Sequence, residues 1–133
     1  MIYKLLEPEH KLLLHPLPEI TAETEPEDRK ELLDNMVETM KHYGGIGLSA
    51  NQCGIPIRMF VFGDNTNYIP CFNPRIIETG GELIPIEEGC LTYPGLFVKI
   101  FRPDVVTVYV LALVICISYC PPFRFVSVFP CRE

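Results

Sequence analysis

The sequence predicts an α+β fold, an N-terminal helix packed on short antiparallel β-sheets. A single well-capped amphipathic pattern occupies residues 24–44. Beyond it, short apolar and β-branched runs alternate with turn residues, and 13 prolines in 133 residues favour turns and short strands over long helices. A chain of this length is expected to form one domain.

The first twenty residues, with prolines at 8, 16 and 18, read as extended chain crossing the surface. The helix begins at a capping box formed by Thr24 and Glu27, with Pro26 in the first turn and acidic residues at the positive end of the dipole. Leu32, Leu33, Met36, Val37, Met40 and Tyr43 recur at helical spacing and predict one buried stripe. Lys41 and His42 suit the negative end, and Gly44 is placed as a left-handed cap. Next, "IRMFVFG" reads as a buried strand closed by a turn at "GDNTN". "CFNPRIIET" and "GELIPIEEGC" read as two strands reversing at Gly80-Gly81, and "LFVKIFRPDVVTVYV" supplies further strand.

Bulk properties narrow the function. A formal charge of −6 argues against a nucleic-acid partner, because neutralising phosphates needs a basic face. The opening residues lack an apolar core ending in a small-residue cleavage site, so a cytoplasmic chain is expected. The six cysteines, at 53, 71, 90, 116, 120 and 131, contain no CxxC pair and are expected to be reduced thiols. Charge is unevenly spread: after Asp104 the only charged residues are Arg124, Arg132 and Glu133.

Two stretches look chemical. Gly45-Ile46-Gly47-Leu48-Ser49-Ala50 fits the GxGxxA form of the dinucleotide fingerprint, which works only between a strand and a helix that holds the pyrophosphate. Here it follows a helix, and Gly54 and Pro56 interrupt any helix after it, so the nucleotide reading fails. The second stretch is "EEGCLTYPG", where a glycine beside a cysteine gives a ligand close access to a thiol. Taken singly, Cys90 reads first as a small buried hydrophobe and the glycines as a helix stop and a turn, while Gln52 reads equally as a solvated loop residue.

Together and in this order, GIGLSANQ (45–52) and EGCLT (88–92) resemble the first two signature motifs of the peptide deformylase family, metal-dependent hydrolases that remove the formyl group from N-terminal methionine. "NPRII" and "RPDVVTV" are similar to the family's connecting strands, and the resemblance covers residues 1–109, leaving 110–133 as an atypical apolar tail. It implies that Cys90 is a ligand of iron(II), often replaced by zinc or nickel, with two histidines of a later HExxH helix. The metal would hold a water, and the glutamate of that helix would act as general base. It further implies that the Gln52 side-chain amide and the Leu91 backbone N–H stabilise the oxyanion of the tetrahedral intermediate. Gly45, Ile46 and Gly47 would flank a substrate bound as an extra strand beside Gly89, its methionine in a small apolar pocket.

The third motif is absent. The histidines are His10, His15 and His42, none followed by glutamate, and His42 reads as a partner of the helix dipole. Cys90 is thus a lone ligand where a catalytic centre takes three. The tail "VVTVYVLALVICISYCPPFRFVSVFPCRE" stands where the metal-binding helix would follow. Its readings, in order of preference, are loss of reading frame near residue 109, buried strands of a diverged non-catalytic protein, and a membrane segment, which is too short to span at fifteen residues. The resulting expectation is a peptide deformylase of impaired turnover, with a non-catalytic formyl-peptide-binding or regulatory module as the competing class. Without a central helix, the inner sheet face would be exposed and self-association is expected.

Overall fold

A computed structural model describes residues 1–63, 66–110, 113–120 and 123–130, the last two stretches as backbone. The chain forms two compact units, one of residues 1–73 with 90–96, the other of residues 74–89 with 97–133. The boundary expected between residues 109 and 110 falls inside a strand.

The first unit is built around its long helix. After a single turn α1 (Lys11–Leu14), helix α2 (Arg29–His42) starts four residues later than the Thr24 box predicts. Asp28 is the N-cap, its carboxylate accepting from the Glu31 N–H at 2.9 Å. Thr24 instead closes a turn, its hydroxyl accepting from the Thr21 N–H at 2.8 Å. Asp28 and Glu31 repeat the spacing of Thr24 and Glu27, so two starts competed, and the one that leaves Pro26 outside the helix prevailed. At the other end Gly44 adopts φ 71°, with Gly45 N–H donating to Met40 C=O and Gly44 N–H to Lys41 C=O, a Schellman stop as expected.

The buried face of α2 is narrower and more polar than the apolar stripe. Leu32, Met36 and Met40 are buried, Leu33 and Val37 pack partly against the core, and Tyr43 is 40 % exposed. Asn35 and Thr39 complete the face. Thr39 is fully buried because both sides of its hydroxyl are used: it accepts from Tyr3 N–H at 2.8 Å and donates to Asn35 C=O at 2.7 Å.

Three strands form the sheet of this unit: β1 (Gly47–Ser49), β2 (Met59–Gly63) and β3 (Tyr68–Phe72), in that spatial order and antiparallel. Register sets Leu48 opposite Val61 and Met59 opposite Phe72, so the pleat turns Leu48, Met59, Val61 and Phe72 toward Met36 and Met40. Residues 64 and 65 of the "GDNTN" turn lie outside the described residues. The extended segment is fixed to the far end of this sheet by Asn73. Its side chain accepts from Ile20 N–H at 2.7 Å and donates to Ile20 C=O at 3.0 Å, imitating a strand pair from φ 49°. Asn73→Ala is expected to lower stability by about 1–3 kcal/mol, read by urea titration, because both backbone groups of Ile20 lose their partner.

The second unit is built on a four-stranded sheet in the order β4 (Arg75–Cys90), β5 (Tyr93–Val110), β6 (Leu113–Cys120), β7 (Phe123–Pro130), of which Cys90 and Tyr93–Leu96 count with the first unit. One expectation is corrected here: the chain does not reverse at Gly80-Gly81 but continues as the single strand β4. Gly81 has φ 69°, and a Cβ there would overlap the Asp104 carboxylate, so the glycine admits a close neighbour within a strand rather than making a turn. The reversal comes at Leu91-Thr92, the two residues between β4 and β5. Arg102 grips Glu88 with two nitrogens, at 2.8 and 3.1 Å, which holds the Glu88 carboxyl below its ordinary range. In the tail, β6 pairs with β5 (Val110 opposite Leu113) and with β7 (Leu113 opposite Pro130). The backbone of residues 113–120 and 123–130 is therefore strand, while the burial expected of side chains beyond Val110 lies outside the described residues. Among the described residues, no helix is long and apolar enough to cross a membrane.

Candidate active site

The glycine-rich stretch links the end of α2 to β1 within the first unit. Gly45 has a packing reason to lack a side chain: a Cβ there would lie 2.6 Å from Leu91 Cδ1 and 3.2 Å from its Cγ. Leu91 in turn packs against the core cluster, so core and turn press on Gly45 together. Ile46 is exposed, while its C=O accepts from Gly63 N–H at 3.0 Å. Gly47 stands opposite Phe62 in β1, the edge strand of its sheet.

After β1 the chain makes a 3₁₀ turn, Ala50–Cys53. Ala50 and Cys53 are buried and anchor it. Two long-range bonds tie it to the N-terminal segment: Leu6 N–H donates to Gln52 C=O at 2.9 Å, and Asn51 Nδ2 donates to Leu12 C=O at 3.1 Å. Gln52 is thereby presented from a fixed backbone.

Its amide uses all four of its hydrogen-bonding positions. Oε1 accepts from Ser49 N–H and from Ser49 Oγ, each at 3.0 Å, and Nε2 donates to Thr92 Oγ1 at 3.0 Å and toward Cys90 Sγ at 3.6 Å. The structure therefore brings Gln52, Cys90, Leu91 and Gly45 into one neighbourhood, and Gln52 is no solvated loop residue. Cys90 is exposed, unlike the buried hydrophobe that composition alone suggests. The other two cysteines of this unit, Cys53 and Cys71, are free and buried. Desolvation pushes their thiols up to about 11 and about 12, which keeps them protonated and inert at neutral pH. Gly89 belongs to the other unit, where a Cβ would lie 2.7 Å from Phe97 Cε1.

Ser49 and Thr92 went unassigned in the sequence, although Ser49-x-x-Gln52 carries the capping-box spacing that reveals the first contact. For Thr92 no local signal exists, since its bond to Gln52 spans 40 residues.

The sequence model of the polypeptide deformylase family matches residues 2–113. The chain belongs to this family. The peptide deformylase of Thermotoga maritima is 43 % identical over 76 residues, which are 57 % of this chain and 46 % of the relative. That of Halothermothrix orenii is 42 % identical over 109 residues, covering 80 % of this chain and 67 % of the relative. The chain thus spans from about half to two thirds of these peptide deformylases. The crystal structure of peptide deformylase from Thermotoga maritima superposes with a TM-score of 0.74 at 28 % identity, over 98 % of this chain and 82 % of that one. Fold similarity to that deformylase extends further along this chain than the sequence match does.

The described residues do not compose a three-ligand iron or zinc site. Among the described residues, no three of His, Cys, Asp and Glu converge on a common point, and a catalytic iron or zinc takes three protein ligands. His10 is occupied in capping α1, its Nδ1 accepting from Leu12 N–H, and His42 sits in the last turn of α2, edge-on to Tyr43.

Proposed function

We propose that this chain carries one wall of a deformylase site: the wall that receives the formyl oxygen of a formyl-methionyl peptide, with little or no turnover of its own. The observation that carries the reading is the Gln52 amide, held by three contacts to Ser49 and Thr92 with its remaining donor directed to Cys90 Sγ. A donor fixed in advance toward a reacting oxygen stabilises developing negative charge without reorganising. Leu91, in the same turn, would add its backbone N–H to that wall. Gly45, Ile46 and Gly47 would border the peptide, β1 being a sheet edge to which an extended chain can add. Cys90 would be the single ligand this chain offers to iron(II), zinc or nickel, and no catalytic step is derived from it.

The substrates proposed are the formylated N-termini of new proteins, met in the cytoplasm. The alternative, a formyl-peptide-binding or regulatory module without chemistry, is favoured by the lack of HExxH. Self-association is proposed for the second unit, where Leu83, Phe97 and Phe101 are each more than 60 % exposed.

The test is incubation of the purified, iron- or zinc-loaded chain with a formyl-methionyl peptide, following released formate. Release no faster than in buffer is expected, with less than one metal bound per chain. Robust formate production would overturn the impaired reading. Specific binding of the formylated peptide without release would place the chain in the binding-module class.

A further inference from the structure

We infer that Ser49 and Thr92 set the orientation of the Gln52 amide, and that Thr92 is a positioning residue for the carbonyl oxygen this site receives. The two ends of a glutamine amide are alike in shape and opposite in hydrogen-bonding sense, so its direction is decided by its neighbours. Ser49 supplies the decisive one. Its backbone N–H only donates, so the end facing it at 3.0 Å must accept, and the Ser49 hydroxyl donates to the same oxygen. The reversed amide would set donor against donor. Nε2 is therefore committed to the opposite side, where Thr92 and Cys90 lie.

Thr92 then divides the two Nε2 hydrogens. One goes to its Oγ1 at 3.0 Å, a full hydrogen bond. The other points to Cys90 Sγ at 3.6 Å, and sulfur is a weak acceptor. A carbonyl oxygen arriving beside Cys90 displaces only this weaker contact, while the contacts to Ser49 N–H, Ser49 Oγ and Thr92 Oγ1 persist. Without the Thr92 hydroxyl, Ser49 still holds Oε1, but Nε2 loses its oxygen partner and the amide plane rocks more widely about its terminal torsion, which an incoming oxygen must first still. The β-branched threonine also fixes its own χ1 more tightly than serine does, so the hydroxyl is itself held in place.

This inference rests on the formyl-peptide reading only for the identity of the arriving oxygen, and the two are separable. The experiment records the Gln52 side-chain amide resonances by ¹⁵N-resolved NMR in the full chain, in Thr92→Val, which keeps the shape, and in Thr92→Ser, which keeps the hydroxyl. Each is titrated with a formyl-methionyl peptide and with its unformylated counterpart. Thr92→Val is expected to move the Gln52 amide resonances and to weaken formyl-peptide binding roughly 3- to 10-fold, the worth of one net hydrogen bond. Its melting temperature should stay that of the unaltered chain, and Thr92→Ser should restore both resonances and affinity. Unmoved Gln52 resonances in Thr92→Val overturn the orientation lock. Moved resonances in Thr92→Val, with no response of Gln52 to formylated peptide in the unaltered chain, support the lock and overturn the formyl-peptide reading.

Discussion

Met36→Ala is expected to lower the stability of the first unit by about 2–5 kcal/mol, a large share of the roughly 5–15 kcal/mol that holds a domain folded. Met36 is wholly buried on the inner face of α2, between Leu32 and Met40 and against Leu48, Met59 and Val61 of the sheet. Truncation removes three heavy atoms from the point where helix and sheet meet, and neither element can collapse into the gap without losing the other's contacts. Thermal or urea unfolding followed by far-ultraviolet circular dichroism reads the loss. Lys30→Ala, on the exposed face of the same helix, is the control and should leave the midpoint where it was. A Met36→Ala midpoint equal to that of the control would show that the helix is not docked as described.

The second large effect is expected at Gly63. An alanine Cβ there would overlap the Asn67 carbonyl oxygen and lie 2.9 Å from Tyr68 Cα and 3.0 Å from the Asn67 carbonyl carbon. These are backbone atoms of the approach to β3, and Gly63 pairs with Tyr68 in the ladder, so no side-chain rotation relieves the contact. The strands must part at their closed end, at a cost of about 1–3 kcal/mol. Gly80→Ala provides the contrast. Nothing lies within 4 Å of its Cβ position and its φ is not positive, so that change should be neutral or stabilising by about 0.4–1 kcal/mol, through the entropy of the unfolded chain. Equal melting temperatures for the two alanine variants would contradict the β2–β3 geometry.

These sites also show what the sequence can and cannot reveal. Helix α2 was legible because its stop is local: Gly44 and Gly45 close it with bonds that reach back only three to five residues. Its start slipped because Thr24 and Asp28 offer the same capping chemistry four residues apart, and only the chain around them decides. Gly80-Gly81 was misread for a similar reason. A glycine pair is equally apt for a turn and for a strand that a distant group approaches, and the group here, Asp104, lies 23 residues away. The polar half of the buried helix face was hidden too, since Asn35 and Thr39 become core residues only once Tyr3 and its neighbours are laid against them. At the site, Cys90 and Gln52 meet across 38 residues, a juxtaposition that no local pattern encodes and that only the resemblance to a family made legible.

The stitching of the N-terminal segment bears on the order in which the first unit assembles. Tyr3 to Thr39, Leu12 to Asn51 and Ile20 to Asn73 are pairings across 36, 39 and 53 residues, and each closes a long loop before it returns any stabilisation. Helix α2 and the β2–β3 hairpin need no such closure and are free to form first. During synthesis residues 1–20 therefore emerge before every partner they use: Tyr3 waits for Thr39, Leu12 for Asn51 and Ile20 for Asn73. The Gln52 turn, bonded to that segment through Leu6 and Leu12, is therefore completed only when chain made before it folds back to meet it.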